Sequence, residues 1–214
     1  MLPISDENPT KRFPLVTVLL ILANLAVFFA WQMRTGLEHS VALAGLIPTE
    51  LHPISQRGVE HLFTAMFMHG GIAHLLGNMW FLWIFGDNVE DEIGRIKFVF
   101  FYLLSGVAGA AAYVALNPQS GIPMVGASGA ISGVLGAYLL LHPSARVKML
   151  FIIRFIRIPA WCYLLIWIGL QVLALSQASK VAGMGIAYWA HIGGFVAGMF
   201  LSIFVTPRQH PKDF

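Results

Sequence analysis

Five long stretches of the chain contain no Asp, Glu, Lys or Arg, and they run over 13–33, 61–86, 98–145, 158–179 and 181–207. Each stretch reaches the roughly 20 residues that an α-helix needs to cross the hydrocarbon core of a bilayer. Only 11% of the 214 residues are charged, whereas a soluble domain carries about 25%. The sequence therefore predicts an integral membrane protein.

The stretch over 98–145 is too long for a single membrane helix. Its middle contains Asn117-Pro118, Ser120-Gly121 and Pro123, which are residues that favour turns, so it is predicted to form two helices. The fold class expected is an all-α integral membrane protein, a bundle of six transmembrane helices. The predicted helices run over 14–33, 66–86, 98–116, 125–142, 158–176 and 184–205.

The distribution of Lys and Arg indicates how the helices are oriented. If both termini are cytoplasmic, ten cations lie inside and three lie outside, as the positive-inside rule requires. The six-helix domain, 14–206, then has a cytoplasmic N-terminal segment, 1–13, and a cytoplasmic tail, 207–214. The ten are Lys11, Arg12, Arg95, Lys97, Arg146, Lys148, Arg154, Arg157, Arg208 and Lys212, and the three are Arg34, Arg57 and Lys180.

The positive charge of the chain does not indicate a nucleic-acid partner. The net charge is +3 and the isoelectric point is near 9.2, but the cations are spread over the loops that flank the predicted helices. A nucleic-acid surface would gather them on one face. The lipid bilayer, with its anionic headgroups, is the partner that this distribution predicts.

The first apolar stretch has one alternative interpretation, a cleaved signal peptide. Lys11 and Arg12 precede it, as basic residues precede the apolar part of such peptides. However, Trp31-Gln32-Met33-Arg34 at its end offers no pair of small residues for cleavage. We therefore expect a retained helix and a multi-pass protein of the cell membrane.

Polar side chains inside predicted membrane helices are the first place to look for function, because burying them in lipid is costly. His74 and Asn78 are four residues apart in the second predicted helix, so they lie one turn apart on the same face. The pair is expected either to bind a ligand together or to join neighbouring helices by hydrogen bonds.

Ser128 lies in Gly126-Ala127-Ser128-Gly129, directly after the predicted turn, and is expected in the first turn of the fourth helix. The N–H groups of a first turn lack helical partners and favour an anion, so they would stabilise an oxyanion that forms beside Ser128. The small residues around Ser128 also fit plain helix packing, in which serine bonds a neighbouring helix.

His191 is the predicted partner of Ser128. The second, fourth and sixth helices begin at the same face of the predicted bundle, and His74, Ser128 and His191 each follow soon after a helix begins. At about 1.5 Å per residue they lie at similar depth, about 5–12 Å below the outer surface. A general base needs a contact of roughly 2.6–3.2 Å with its nucleophile, and we expect His191 to make it.

These residues predict peptide-bond hydrolysis through a Ser-His dyad. Ser128 would attack the carbonyl, His191 would carry the proton, and His74, Asn78 and the backbone near Ser128 would bind the oxyanion. Because the fourth and sixth predicted helices contain no Asp or Glu, packing alone is expected to orient the imidazole.

Hydrolysis also needs water, so a hydrated cavity open to the outer face is expected. The polar loop at 117–123, His61 and His69 are candidates for its lining. The two histidines fit equally well as residues of the membrane interface.

The motifs G-A-S-G at 126–129, H-x-x-x-N at 74–78 and A-H-I-G-G at 190–194, in alternate predicted helices, resemble those of the rhomboid intramembrane serine proteases. The segment from His69-Gly70-Gly71 to Gly86-Asp87-Asn88-Val89-Glu90 resembles the second span of that family and the turn that follows it. The resemblance covers almost the whole chain. It implies that Ser128 is the nucleophile, that His191 is the base, and that His74 and Asn78 are oxyanion ligands.

The resemblance also implies the rest of the reaction. The substrates would be single-span transmembrane proteins, cut near the outer end of a helix that small or helix-breaking residues weaken. Cleavage requires local unwinding, because an intact helix protects its peptide bonds by hydrogen bonding. The buried site would open by movement near the fifth helix, and neither a metal nor another cofactor is expected.

Two departures from the family pattern bear on the site. The Trp-Arg pair that many members carry in the first loop is absent around Val59-Glu60-His61, so what anchors this loop is open. Some members have Tyr four residues after the serine, where this chain has Ser132. What holds the His191 ring is therefore open as well.

Other classes of membrane protein fit less well. The chain has no H-E-x-x-H zinc motif and no pair of intramembrane aspartates, since its Asp residues are Asp6, Asp87, Asp91 and Asp213. A small transporter would show inverted halves with paired broken helices, and no such pairing is present. A catalytically inactive rhomboid-like scaffold is a second alternative. Inactive relatives lack the serine or the histidine, and this chain has both, but only an activity measurement separates the two interpretations decisively.

Overall fold

The computed structural model describes residues 2–51, 55–178 and 187–206, and these residues are mostly helical. The helices, in chain order, are α1 Leu15–Thr35, α2 Leu37–Ala44, α3 Gln56–Thr64, α4 Ile72–Ile93, α5 Arg95–Leu116, α6 Ser128–Leu141, α7 Ala160–Ala178 and α8 Tyr188–Val205. Short 3-10 turns at Pro48–Leu51 and Ala65–Phe67 precede α3 and α4.

Four of the described helices, α1, α5, α7 and α8, are long and apolar enough to cross a membrane by length and composition, where the sequence predicts six. Helix α4 has 22 residues but ends in a run of acidic side chains. Helix α6 has only 14 residues and measures about 21 Å, less than the roughly 30 Å of a hydrocarbon core. Lys180 and the predicted tail at 207–214 lie outside the described residues.

The prediction of an all-α protein is wrong in one respect, because one end of the bundle carries a three-stranded antiparallel sheet. Its strands are β1 Leu2–Asp6, β2 Arg146–Phe151 and β3 Arg154–Pro159, and β2 lies in the middle. The sequences of β2 and β3 contain Arg and Lys between apolar residues, the alternation typical of a half-buried strand. The prediction treated both segments only as charged loops.

Hydrogen bonds from two helices hold β1 against the bundle. The Asp6 carboxylate accepts from the Tyr138 hydroxyl of α6 and from Asn88 Nδ2 of α4, the latter at 2.9 Å. Trp80 Nε1 donates to the Pro3 carbonyl oxygen at 2.6 Å. Burial raises the pKa of Asp6 although the Tyr138 bond opposes this effect. The N-terminal strand is thus an integral part of the fold.

Helix α4 begins and ends later than the sequence predicts. It starts at Ile72 because a 3-10 turn occupies Ala65–Phe67 and extended backbone follows it. It continues to Ile93 because the acidic residues near its end have structural partners. The Glu90 carboxylate accepts from the N–H groups of Val16 and Thr17 at 3.0 and 2.7 Å. It thereby satisfies donors that the first turn of α1 leaves without helical partners.

Helix α6 is the centre of the bundle, and its residues from 129 to 138 are all buried. It packs against α8 with almost no side chains between the two backbones. A Cβ atom at Gly194 would collide with the carbonyl oxygen of Gly129, and one at Gly198 would collide with the backbone of Gly133. Backbones this close require small residues on both helices.

We expect Gly198→Ala to destabilise the protein by about 1–3 kcal/mol, because the added methyl group must force α6 and α8 apart. The matched control is Gly169→Ala on α7, where an added Cβ meets no atom within 4 Å. Thermal unfolding of both variants in the same detergent would measure the difference. Equal unfolding temperatures for the two variants would contradict this account of the packing.

Candidate active site

The close packing of α6 and α8 brings Ser128 and His191 together. Ser128 is the first residue of α6 and His191 is the fourth residue of α8. The distance between Ser128 Oγ and His191 Nε2 is 2.8 Å, within the range for a hydrogen bond. The sequence predicts this pair, although the two residues are 63 positions apart.

Ser128 and His191 face a cavity of about 270 Å³. His74 and Asn78, one turn apart on α4, line the same cavity, so the four residues singled out in the sequence share one site. Trp167 and Gln171 of α7 complete the wall beside His191. The lining is mainly apolar and contains a few polar groups that converge on one point, as is typical of a binding site.

Gly126 lets the His74 ring approach Ser128. Its φ is +127°, a conformation that residues with a side chain rarely adopt. A Cβ atom at Gly126 would lie 2.9 Å from His74 Nε2 and 3.5 Å from Ser128 Oγ. The Gly70 N–H donates to His74 Nδ1 at 3.5 Å. Because Nδ1 is the acceptor in this contact, the hydrogen of a neutral ring lies on Nε2, the nitrogen that faces Gly126.

Asn78 brings an unused donor to the cavity. The residue is 8% exposed, and its Nδ2 is buried without a hydrogen-bond partner among the described residues. A buried amide that lacks a partner is unfavourable by about 1–3 kcal/mol. An acceptor that entered the cavity would remove this cost. The N–H groups in the first turn of α6 also lack helical partners by position.

The sequence analysis missed Gln171, which contacts the other nitrogen of His191. Gln171 Oε1 lies 2.8 Å from His191 Nδ1, so packing alone does not orient the ring as predicted. Packing contributes as well, because the rings of Trp167 and Tyr188 lie 6.2 and 6.3 Å from the imidazole. The signal in the sequence was a single glutamine within the apolar segment W-I-G-L-Q-V-L-A-L of the fifth predicted helix.

The other residues considered for the cavity lie elsewhere. Among the residues that the structure describes, neither His61, His69 nor the loop at 117–123 lines the cavity of Ser128. His61 Nδ1 lies 2.8 Å from Glu50 Oε2, and this contact connects α3 to the preceding turn. The anchor of the first loop, left open by the sequence, is therefore Glu50.

His69 packs against His74 outside the cavity. Its ring is fully buried and packs edge to face against His74, with centroids 5.2 Å apart. The Gln32 side chain makes two hydrogen bonds to the His69 backbone. It accepts from the His69 N–H at 2.9 Å and donates to the His69 carbonyl oxygen at 3.0 Å. Gln32 ends a π-helical turn of α1, Val27–Gln32. This turn fixes the segment that leads into α4.

The described part of the chain contains no group of three or more His, Cys, Asp or Glu side chains arranged to hold a metal ion. The polar groups that line the cavity around Ser128 are instead two imidazoles, two amides, the Ser132 hydroxyl and the Trp167 indole. Such groups are hydrogen-bond donors and acceptors without a full charge. They suit acid-base chemistry on a neutral ligand in an apolar cavity.

The amino-acid sequence of the chain matches known proteins of one family. The model of the Rhomboid domain matches residues 56–208. The chain is 32% identical over 187 residues to the rhomboid protease GluP of Bacillus subtilis. It is 35% identical over 153 residues to RHOMBOID-like protein 4 of Arabidopsis thaliana and 33% over 162 residues to the mitochondrial RHOMBOID-like protein 6 of that plant.

The matches cover most of this chain but less than half of each relative. They include 87%, 70% and 72% of the chain, and 34%, 34% and 46% of the three relatives in the same order. The match to the Rhomboid domain includes α3 to α8 and therefore all four residues that meet at the cavity. Together with the long apolar helices, these matches show that the chain is a multi-pass membrane protein and belongs to the rhomboid family.

Proposed function

We propose that the chain is an intramembrane serine endopeptidase that cleaves transmembrane segments of membrane proteins. The observation that carries the proposal is the 2.8 Å contact between Ser128 Oγ and His191 Nε2 at the wall of a cavity. The unpaired Nδ2 of Asn78 beside it is the kind of donor that an oxyanion needs. The protease name of the relative GluP supports the same activity.

The reaction would follow the general scheme of serine hydrolases. His191 Nε2 takes the proton of the Ser128 hydroxyl as Oγ attacks the peptide carbonyl, and the carbonyl oxygen becomes an oxyanion. His74, Asn78 and the first N–H groups of α6 donate to this oxygen. His191 then protonates the leaving amine, and an acyl-enzyme remains. A water molecule, deprotonated by His191, hydrolyses the acyl-enzyme and restores Ser128.

The shortness of α6 supports a site within the membrane. In a bundle of six spans, α4 and α6 would cross together with the four long apolar helices. A helix of about 21 Å leaves part of a 30 Å core to other backbone, so Ser128 would begin α6 below the surface. Irregular backbone at such depth is tolerated where it lines a hydrated cavity.

The sheet supports an orientation with the N-terminal segment in the cytoplasm. Strands β1 and β2 pair, so the N-terminal segment lies on the same side of the bundle as the β2–β3 hairpin. This side carries the cations of the hairpin at Arg146, Lys148, Arg154 and Arg157, as expected of a cytoplasmic surface. Because β2 follows the C-terminal end of α6, Ser128 at the other end would face the extracytoplasmic side.

Single-span transmembrane proteins are the substrates that this arrangement fits. The peptide bond must reach a site that opens beside lipid-facing helices, and it must be free of helical hydrogen bonds when Ser128 attacks. A helix that contains small or helix-breaking residues near its outer end unwinds most readily. Once unwound, such a segment would present a peptide carbonyl at the depth of Ser128 and His191.

Removal of either member of the pair should abolish activity. Purified wild type in liposomes is expected to cleave a single-span reporter protein, and Ser128→Ala and His191→Ala are expected to reduce cleavage by at least about 10⁴-fold, because neither can form the acyl-enzyme efficiently. Ser202→Ala, a buried serine of α8 that bonds the Met199 carbonyl, is the matched control.

Cleavage by a folded Ser128→Ala protein would contradict the mechanism. A wild type that neither cleaves reporters nor reacts with a fluorophosphonate would instead favour an inactive rhomboid-like scaffold. The fluorophosphonate is informative here because it labels an activated serine without need of the natural substrate.

The oxyanion donors should affect the rate more than binding. We expect Asn78→Ala and His74→Ala each to lower kcat by roughly 100- to 1000-fold, since one such donor contributes about 2.7–4 kcal/mol in related sites. KM should change little, because the interaction forms in the transition state. The measurement is steady-state cleavage of the same reporter. Asn24→Ala, a buried asparagine of α1 whose Nδ2 bonds the Leu20 carbonyl, should retain wild-type kcat.

A further inference from the structure

We propose that Gln171 is a positioning residue that selects the reactive tautomer of His191, so that the site functions as a Ser128–His191–Gln171 triad. The proposal rests on the proposed protease function, since it concerns the base of that reaction. It assigns a role to a side chain of α7, the helix next to the catalytic pair.

The orientation of the Gln171 amide decides which nitrogen of His191 carries the proton. Gln171 Oε1 lies 2.8 Å from His191 Nδ1, and an amide oxygen accepts hydrogen bonds but cannot donate them. Nδ1 must therefore carry the hydrogen in this contact. A neutral imidazole has only one N–H, so Nε2 keeps its lone pair. Nε2 is the nitrogen that lies 2.8 Å from Ser128 Oγ, and its lone pair is what a general base requires.

The alternative tautomer would be unreactive. With the hydrogen on Nε2, the imidazole would donate to Ser128 Oγ and leave no acceptor for the hydroxyl proton. Nδ1 would then place a lone pair against the Gln171 oxygen, which is repulsive in the observed orientation of the amide. This tautomer is accommodated only if the amide turns to present its NH₂ group to Nδ1. Gln171 thus disfavours the unreactive form, the role that aspartate has in soluble serine proteases.

An amide suits this environment better than a carboxylate. A charged side chain in the middle of a membrane helix is costly, and Gln171 lies among the apolar residues Leu170 and Val172 of α7. Among the described residues, the groups that face the His191 ring are Ser128, Gln171, Trp167 and Tyr188, with His74 across the cavity. None of them is acidic, so the neutral amide is the acceptor that orients the ring.

The test compares Gln171→Met with Gln177→Met. Methionine keeps the length of glutamine but lacks the acceptor, and Gln177 is an exposed glutamine of the same helix that does not line the cavity. For Gln171→Met we expect kcat for reporter cleavage to fall by about 10- to 100-fold, part of the roughly 10²–10⁴-fold that a positioned base contributes. KM should stay within about twofold, since the base acts in the transition state.

Gln171→Glu tests the chemistry of the contact. Once ionised, its carboxylate keeps an acceptor at the same position and should recover most of the lost kcat. The carboxylate also stabilises the protonated imidazole, so the acidic limb of its pH–rate profile should move to higher pH than in wild type. Gln171→Asn, whose shorter side chain draws the acceptor back, should resemble Gln171→Met and replaces it if the methionine variant does not fold.

The tautomer can be measured without any substrate. We expect the ¹⁵N spectrum of ring-labelled histidine to show the Nδ1–H form at His191, identified by its absence in His191→Ala. In Gln171→Met the signal should move toward a mixture of tautomers, whereas Gln177→Met should leave it unchanged. This spectrum separates the two proposals, because it reports on Gln171 even if wild type proves inactive.

Two results would overturn the proposal. One is an active wild type in which Gln171→Met and Gln177→Met have the same kcat and the same His191 spectrum. The other is a wild-type His191 that carries its hydrogen on Nε2. An inactive wild type whose His191 has the Nδ1–H form, lost in Gln171→Met, would refute the protease function and retain the role of Gln171 in ring orientation.

Discussion

The near contact of the α6 and α8 backbones is the constraint on which the site depends. Glycines face backbone atoms across this interface, as Gly194 faces Gly129 and Gly198 faces Gly133. Any larger side chain there would separate the helices, and a hydrogen bond of 2.8 Å between Ser128 and His191 tolerates little displacement. The small residues therefore have two effects. They pack a bundle in a solvent that provides no hydrophobic drive between helices, and they set the distance between the Ser128 and His191 side chains.

The polar groups of the cavity can all make hydrogen bonds without carrying a permanent charge. Imidazole and amide groups stabilise by hydrogen bonding, and this interaction strengthens as the local dielectric falls. A carboxylate at the same depth would be costly to desolvate. The ionisable acids of α4 occur instead near its C-terminal end, where Glu90 satisfies the first N–H groups of α1. Neutral polar groups surround Ser128, whereas charged groups support the ends of the helices.

The sequence predicts most of this arrangement, because the spacing of charged residues indicates the helices and the polar residues between them indicate the site. Charge-free stretches indicate membrane helices, and polar residues within them indicate His74, Asn78, Ser128 and His191. The sheet and Gln171 were missed for different reasons. The strands of the sheet pair residues far apart in the chain, such as Leu2 with Leu150, and no local pattern reveals such a pairing. Gln171 lies in an apolar stretch of its helix with no motif beside it, and its importance follows only from its distance to His191.

The location of Gln171 gives α7 a role beyond packing. This helix buries 17% of its most apolar segment within the protein, the smallest share among the four long apolar helices of the described chain, against 39% for α5. It is therefore the least buried of the four, yet it provides both Trp167 and Gln171 to the wall beside His191. A displacement of α7 would widen the cavity and withdraw the acceptor from Nδ1 in the same movement. An open site would then lack an oriented base, and the base would become reactive only once α7 had returned against α8. In the proposed protease, admission of the substrate and activation of Ser128 would then be sequential steps.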